Sequence, residues 1–85
     1  MKKLSDTEFE IMKVLWESNQ SLTSNEILEK VKDKLQWKLA SIMTVLARMV
    51  EKGYVYCDRS TRTNYYSAVI SKEQYRIEES ETFLE

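Results

Sequence analysis

The segment 37–66 constrains the fold of this chain more than any other part of the sequence. It opens with apolar side chains that recur at steps of three and four residues, which is the spacing of one face of an α-helix. Gly53, the only glycine in 85 residues, follows this run and predicts the helix end, because glycine takes the left-handed conformation without a steric penalty. The apolar stripe consists of Leu39, Ile42, Leu46, Met49 and Val50.

Two short runs rich in aromatic and β-branched residues come after the glycine. Residues 54–57 and 65–69 predict two strands, and the polar segment 58–64 between them predicts a hairpin loop. This loop carries Arg59 and Arg62. An amphipathic helix followed by a hairpin with a basic loop is the order of a winged helix, in which the loop is the wing.

Three further helix starts share one pattern, a hydroxyl residue followed three positions later by Glu or Gln. In such a capping box the hydroxyl accepts a hydrogen bond from a backbone N–H, and the Glu or Gln side chain reaches back to the N-cap. An apolar residue before each pair completes a hydrophobic staple. The third helix differs, since Lys38 is a poor N-cap. The three pairs are Ser5 with Glu8, Thr23 with Glu26, and Ser71 with Gln74.

These signals predict an α+β chain, mainly α, with the winged helix-turn-helix fold. Helices are expected over 6–18, 24–35 and 39–52, an extended link at 21–22, a hairpin over 54–69 and a last helix over 72–84. Both tryptophans, Trp16 and Trp37, are interpreted as packing residues. The predicted core consists of Phe9, Met12, Leu15, Trp16, Ile27, Leu28, Val31, Leu35, Ile42, Leu46, Met49, Val55 and Tyr66.

The charge distribution is more informative than the net charge of −1. Segment 37–66 carries five Lys/Arg and two Asp/Glu, whereas 1–36 carries six against seven and 67–85 two against five. The predicted third helix and wing are therefore the positive part of the chain. The outer face of that helix offers small, hydroxylated and cationic side chains, which suit base edges and phosphates but also an ordinary solvated helix face. This face consists of Ala40, Ser41, Thr44, Ala47, Arg48 and Glu51.

Enzyme chemistry finds little support in the sequence. The chain has no histidine and one cysteine, so thiol–imidazole pairs and multi-cysteine metal sites are not available. We interpret Cys57 as a small half-buried side chain, with a lone metal ligand or redox sensor as the alternative. Asp6, Glu8 and Glu10 are interpreted as complementing the positive end of the first helix. No cofactor or metal is predicted, and the lack of an apolar span or signal segment favours a cytoplasmic protein.

The sequence also resembles the penicillinase-repressor family, which comprises bacterial repressors of the BlaI, MecI and CopY type. The resemblance extends over nearly the whole chain, and it is specific because several motifs occur together. The residues that carry it are LSDTEFEIMKVLW at 4–16, Trp37, Thr44, Arg48, EKGYV at 51–55 and NYYS at 64–67.

This resemblance implies a dimeric winged-helix repressor on palindromic operator DNA. The third helix would enter the major groove, and the wing and the first helices would hold the backbone. By the resemblance, residues 1–70 form the DNA-binding domain, and 71–85 begin a helix that leads to a dimerisation segment. The chain is thus expected to be a truncated domain, mainly monomeric. The predicted DNA-contacting residues are Lys38, Ala40, Ser41, Met43, Thr44, Arg48, Arg59 and Arg62.

Their expected roles differ. Ser41, Thr44 and Arg48 match DNA-contacting positions of the family, and we expect Lys38 to meet the backbone. Members of the β-lactam type often have basic residues where this chain has Ala40 and Met43, and Ser-Pro in place of residues 38–39. These departures favour the copper-responsive branch, whose cysteine cluster the chain lacks.

Each basic residue also has an alternative role. Arg48 can pair with Glu51 or Glu26, and Lys38, Arg59 and Arg62 can be ordinary solvated charges. A winged helix that binds proteins without touching DNA is the alternative function, and the net charge of −1 favours it slightly.

Overall fold

The computed structural model describes residues 4–35 and 37–77, with the side chains at 33–35 outside the description. It contains helices α1 (Asp6–Ser18), α2 (Ser24–Leu35) and α3 (Leu39–Lys52), followed by strands β1 (Val55–Asp58) and β2 (Tyr65–Ala68). Residues 72–77 form a further helix, α4. The remainder of the predicted last helix and the side chain of Leu35 lie outside the described residues. None of the described helices is long and apolar enough to cross a membrane.

Two of the three predicted capping boxes form with both hydrogen bonds, and the third forms with one of the two among the described residues. Ser5 Oγ accepts a hydrogen bond from the Glu8 N–H at 3.3 Å, and Glu8 Oε1 accepts one from the Ser5 N–H at 2.9 Å. The Thr23–Glu26 pair makes the same two bonds at 3.1 and 2.8 Å. At α4, Ser71 Oγ accepts from the Gln74 N–H at 3.0 Å. These bonds satisfy N–H groups that the helices themselves leave without acceptors, and so they fix where α1, α2 and α4 begin.

The end of α3 depends on Gly53, which has a φ of 89° in the left-handed region. Its N–H donates to the Val50 carbonyl at 3.1 Å, and the Tyr54 N–H donates to the Met49 carbonyl at 3.0 Å. This double hydrogen bond closes the helix and turns the chain directly into β1. The orientation of the hairpin relative to α3 therefore depends on one backbone conformation.

Gly53→Ala is expected to lower the free energy of unfolding by about 1 kcal/mol, because an L-residue is strained in the left-handed region. Steric overlap contributes nothing, since no described heavy atom beyond residues 52–54 lies within 4 Å of the position that the alanine Cβ would occupy. Gly53→Asn is the matched control, since asparagine tolerates this conformation better, as Asn19 does at the end of α1 with a φ of 57°. Urea unfolding curves of the two variants measure the difference, and equal stabilities would contradict this account.

The hairpin is antiparallel, with Val55 opposite Ala68 and Asp58 opposite Tyr65. The sequence predicts Asp58 in the loop, but its pairing with Tyr65 places it in β1. The predicted link at 21–22 also joins the sheet, because Leu22 and Tyr66 exchange two backbone hydrogen bonds of 2.9 and 2.7 Å. The wing is thereby attached to the segment between α1 and α2 as well as to α3.

The core contains most of the predicted residues. Phe9, Trp16, Leu28 and Trp37 are only partly buried, and they pack against its edge. The predicted residues that are buried are Met12, Leu15, Ile27, Val31, Ile42, Leu46, Met49, Val55 and Tyr66. Six further buried residues are not in the predicted core, and three of them are the staple residues that precede the capping boxes. These six are Leu4, Ile11, Leu22, Tyr54, Ile70 and Tyr75.

An aromatic cluster attaches α4 to α1. Tyr75 lies with its ring centroid 6.0 Å from that of Phe9, 6.1 Å from that of Trp16 and 5.9 Å from that of Tyr54. The Trp16 Nε1–H also donates to the Ile70 carbonyl at 2.9 Å. The prediction that Trp16 is a packing residue is confirmed, and its polar edge has the further role of holding the chain that leads into α4.

Candidate nucleic-acid interface

The side of α3 that faces away from the core is exposed along its length. Ile42, Leu46 and Met49 are fully buried and hold the helix against α2 and β1. The opposite side is consequently fixed in orientation and open to a ligand. Its exposed residues are Ala40, Ser41, Met43, Thr44, Ala47, Arg48 and Glu51, and Lys38 is exposed immediately before it.

The N-terminal end of α3 differs electrostatically from those of α1 and α2. Its first turn contains no acidic residue, whereas Asp6 and Glu8 stand in the first turn of α1 and Glu26 in that of α2. Among the described residues, nothing caps α3 through a side chain, and its N-cap residue is Lys38. The positive end of the helix dipole is therefore left without a negative charge, which favours an anionic ligand such as phosphate.

Arg48 is free to act on a ligand. Within residues 4–35 and 37–77 it forms no ion pair with Glu51 or Glu26, the two partners considered from the sequence, and Glu26 Oε1 instead accepts from the Thr23 N–H. The neighbouring Thr44 is engaged within the helix, because its hydroxyl donates to the Ala40 carbonyl at 3.0 Å. On this face Arg48 thus offers charged donors, and Thr44 offers a methyl group and an acceptor oxygen.

The wing loop is shaped by its own polar side chains. Asp58 Oδ1 accepts from the Ser60 N–H at 2.9 Å, and the Thr61 hydroxyl donates to the Thr63 carbonyl at 2.8 Å. Hydrogen bonds from the side chain and then the backbone of Ser60 lower the pKa of Asp58. Its carboxylate is therefore occupied within the turn, and Arg59 and Arg62 are both exposed.

Cys57 is a half-buried free thiol, as predicted. Interaction with the Cys57 side chain, first through hydrogen bonding and then through charge, raises the pKa of Arg59. Burial, followed by the charge interaction with Cys57, raises the pKa of Tyr66, which lies opposite Cys57 on β2. Within the described part of the chain no three His, Cys, Asp or Glu side chains are grouped as a metal site.

The sequence did not predict where the side chain of Lys52, the remaining basic residue of segment 37–66, would lie. Its Nζ lies 2.8 Å from both carboxylate oxygens of Glu8, a residue that is 4% exposed. Glu8 is interpreted from the sequence as a helix-dipole residue, and it does cap α1, but it also forms this partly buried ion pair with the last turn of α3. Burial is the largest effect and raises the pKa of Glu8, but hydrogen bonds from Lys52 and Ser5 outweigh it and leave the pKa lowered.

All eight residues predicted to contact DNA are exposed in the structure. Six of them belong to α3 or its N-cap, and Arg59 and Arg62 belong to the loop between β1 and β2. The arrangement provides an uncapped helix end, a face with an uncommitted arginine, and a second basic element on the hairpin. These features can bind a polyanion whose groove is wide enough to admit an α-helix.

Comparison with known proteins gives a consistent result. The family model for the penicillinase repressor matches residues 4–85. The penicillinase repressor of Bacillus licheniformis is 32% identical over 87 residues, which cover 99% of this chain and 67% of that protein. The chain thus spans about two thirds of the length of this relative.

Two solved structures share the fold. The monomeric form of Bacillus licheniformis BlaI in complex with the blaP half-operator superposes with a TM-score of 0.71 at 28% identity, covering 87% of this chain and 89% of that one. The CopR repressor superposes with a TM-score of 0.65 at 27% identity, covering 82% of this chain and 100% of that one. The predicted winged-helix fold is confirmed by these similarities.

Proposed function

Because the chain belongs to the penicillinase repressor family, we propose that it is a sequence-specific DNA-binding repressor of transcription. The family consists of repressors and not of enzymes. The observation that carries the proposal is the exposed face of α3, with its uncapped N-terminus and unpaired Arg48, in a fold whose relative binds a half-operator. In this account α3 lies in the major groove of double-stranded DNA, and the wing lies on the backbone.

Each exposed residue has a role that follows from its chemistry. Arg48 contacts a phosphate or a guanine edge, and Ser41 and Thr44 meet bases or phosphates at the groove. Lys38, at the positive end of α3, binds a backbone phosphate. Arg59 and Arg62 reach phosphates or the minor groove from the wing. Ala40 and Met43 face the bases without any charge.

Ala40 and Met43 bear on which operon is repressed. Both are exposed and apolar, so the base contacts that basic side chains would make at these positions are absent. We therefore favour a copper-homeostasis operon over a β-lactam-resistance operon as the target. This proposal implies a half-site that differs from the blaP half-operator at the base pairs facing these two residues.

The full-length protein is proposed to act in the cytoplasm as a homodimer on a palindromic operator. A relative that binds a half-operator as a monomer supports this, since two such halves make one operator. If the dimer contacts lie outside residues 1–85, the present chain is mainly monomeric and binds on the order of a hundredfold more weakly than the dimer. Sedimentation velocity of residues 1–85 tests this, and a dimer that persists on dilution would contradict it.

The experiment that tests the function is a binding selection from a duplex library with a randomised central segment. We expect enrichment of one short sequence, and we expect its affinity to fall steeply as salt is raised, because phosphate contacts release counterions. Charge-matched scrambled duplexes serve as the control. Failure to enrich any sequence, with no binding at low salt, would overturn the proposal and favour a protein-binding winged helix.

A further inference from the structure

The outer face of α3 is divided lengthwise into an apolar and a polar half. Met43 and Thr44 each lie three or four residues from both Ala40 and Ala47, so the four side chains form one continuous exposed stripe. Met43 is 47% exposed and is the large apolar side chain of this stripe. Ser41 and Arg48 lie beside this stripe. The part of α3 that faces a ligand is therefore only half polar.

The internal hydrogen bond of Thr44 makes the apolar stripe continuous. Its hydroxyl donates to the Ala40 carbonyl at 3.0 Å, so its hydrogen is directed along the helix and is not available to a base. A serine at this position could form the same hydrogen bond to the backbone. The methyl group is therefore the part of the side chain that distinguishes Thr44 from serine. Together with the Ala40 methyl and the Met43 thioether chain, it presents three adjacent apolar groups.

Base edges in the major groove include one apolar group, the 5-methyl of thymine, and the other bases present hydrogen-bond donors and acceptors there. A stripe without charges or free donors would leave the acceptor groups of those edges unsatisfied, but it can bury a methyl group. We propose that Ala40, Met43 and Thr44 read thymine methyl groups, so that the half-site is thymine-rich opposite this stripe. This inference rests on the proposed DNA-binding function and specifies its sequence preference.

Replacing thymine by uracil tests this contact directly, because uracil lacks only the 5-methyl group and keeps every hydrogen-bonding edge. In the half-site recovered by selection, each thymine is replaced in turn by uracil, and affinity is measured by fluorescence anisotropy. Loss of one buried methyl is expected to weaken binding on the order of fourfold. Thymines outside the recognised segment provide the internal control and should show no change.

Variants of Thr44 identify the side chain that meets the methyl group. Thr44→Ser keeps the hydroxyl and removes the methyl, whereas Thr44→Val keeps the methyl shape and removes the hydroxyl. We expect Thr44→Ser to weaken binding on the order of fourfold on the thymine duplex but hardly at all on the uracil duplex at the affected position. Thr44→Val keeps a methyl group at this position, so it should retain the weaker binding to the uracil duplex than to the thymine duplex. Thermal unfolding establishes that both variants are folded.

The possible outcomes separate this inference from the function on which it rests. Failure to select any DNA sequence would overturn both. A selected half-site whose affinity is unaffected by uracil at every position would overturn the methyl readout and leave the repressor function standing. Equal losses for Thr44→Ser on thymine and uracil duplexes would also overturn it, because the two methyl groups would then not be in contact.

Discussion

Replacing both Arg59 and Arg62 with glutamate is expected to weaken binding to the selected half-site on the order of a hundredfold at about 0.1 M salt. The two arginines are exposed on the loop after β1, and the carboxylate of Asp58 at the end of β1 already accepts a hydrogen bond from the Ser60 N–H. The arginines are therefore available to phosphates, and glutamates at these two positions would repel the phosphates. Losing two phosphate contacts should also reduce the slope of log affinity against log salt by about 1.8.

A matched control distinguishes the loss of contacts between the wing and DNA from the change in net charge. Lys30→Glu combined with Lys72→Glu makes the same change in net charge at exposed positions on α2 and α4. This variant should bind several-fold more weakly at most and keep the salt dependence of the unchanged protein. If the control lost as much affinity as the wing variant, the loss in the wing variant would result from its changed net charge and not from lost contacts. If the wing variant bound normally, the wing would not contact DNA.

Lys52→Met is expected to lower the free energy of unfolding by about 3 kcal/mol, the largest stability effect anticipated for this chain. Lys52 Nζ hydrogen-bonds both oxygens of Glu8, whose side chain is 5% exposed. Removing the ammonium leaves that carboxylate buried without its counter-charge. The reverse change, Glu8→Gln, should cost about 1 kcal/mol, since the Lys52 side chain is 25% exposed and its ammonium can reach water.

Glu8→Gln is informative because glutamine can still complete the capping box with Ser5. It removes the charge while keeping the helix start, so the change in stability measures the contribution of the ion pair. The double variant Glu8→Gln/Lys52→Met should be more stable than Lys52→Met, because no charge is then left buried. Denaturant unfolding at neutral pH measures all three. Equal stabilities of Lys52→Met and the unchanged protein would show that the pair is not formed in solution.

The same pair gives the direction of a pH dependence. The pKa of Glu8 is lowered below its usual value of 4.5 in the folded protein. Its contribution to stability is therefore fully present above pH 4.5 and is lost as the pH falls through the lowered pKa. The stability difference between the unchanged protein and Glu8→Gln should shrink in acid. A difference that stays constant down to about pH 2 would contradict the lowered pKa.

Local signals predicted the elements of the fold accurately. The capping boxes at Ser5, Thr23 and Ser71 and the glycine at position 53 act through neighbours within a few residues, so the sequence itself contains both sides of each interaction. The same holds for the apolar period of α3, which also predicted its exposed face. The winged-helix order could be predicted because it depends on such elements in succession.

Contacts between distant residues were not predictable in this way. Glu8 and Lys52 are 44 positions apart, and Trp16 and Ile70 are 54 apart, so no local pattern relates them. The pairing of Leu22 with Tyr66 likewise converted a predicted link into part of the sheet. A buried glutamate with a lysine partner looks like a surface charge in the sequence, because burial depends on how the helices pack.

DNA binding by α3 and the wing is tested by an NMR titration of the labelled chain with the selected half-site duplex at two salt concentrations. We expect shift changes confined to residues 38–52 of the α3 segment and 58–64 of the wing, and a weaker effect at the higher salt concentration. Unchanged spectra at low salt would contradict it. So would shifts centred on the groove between α1 and α2 that is lined by Glu10, Lys13 and Lys30.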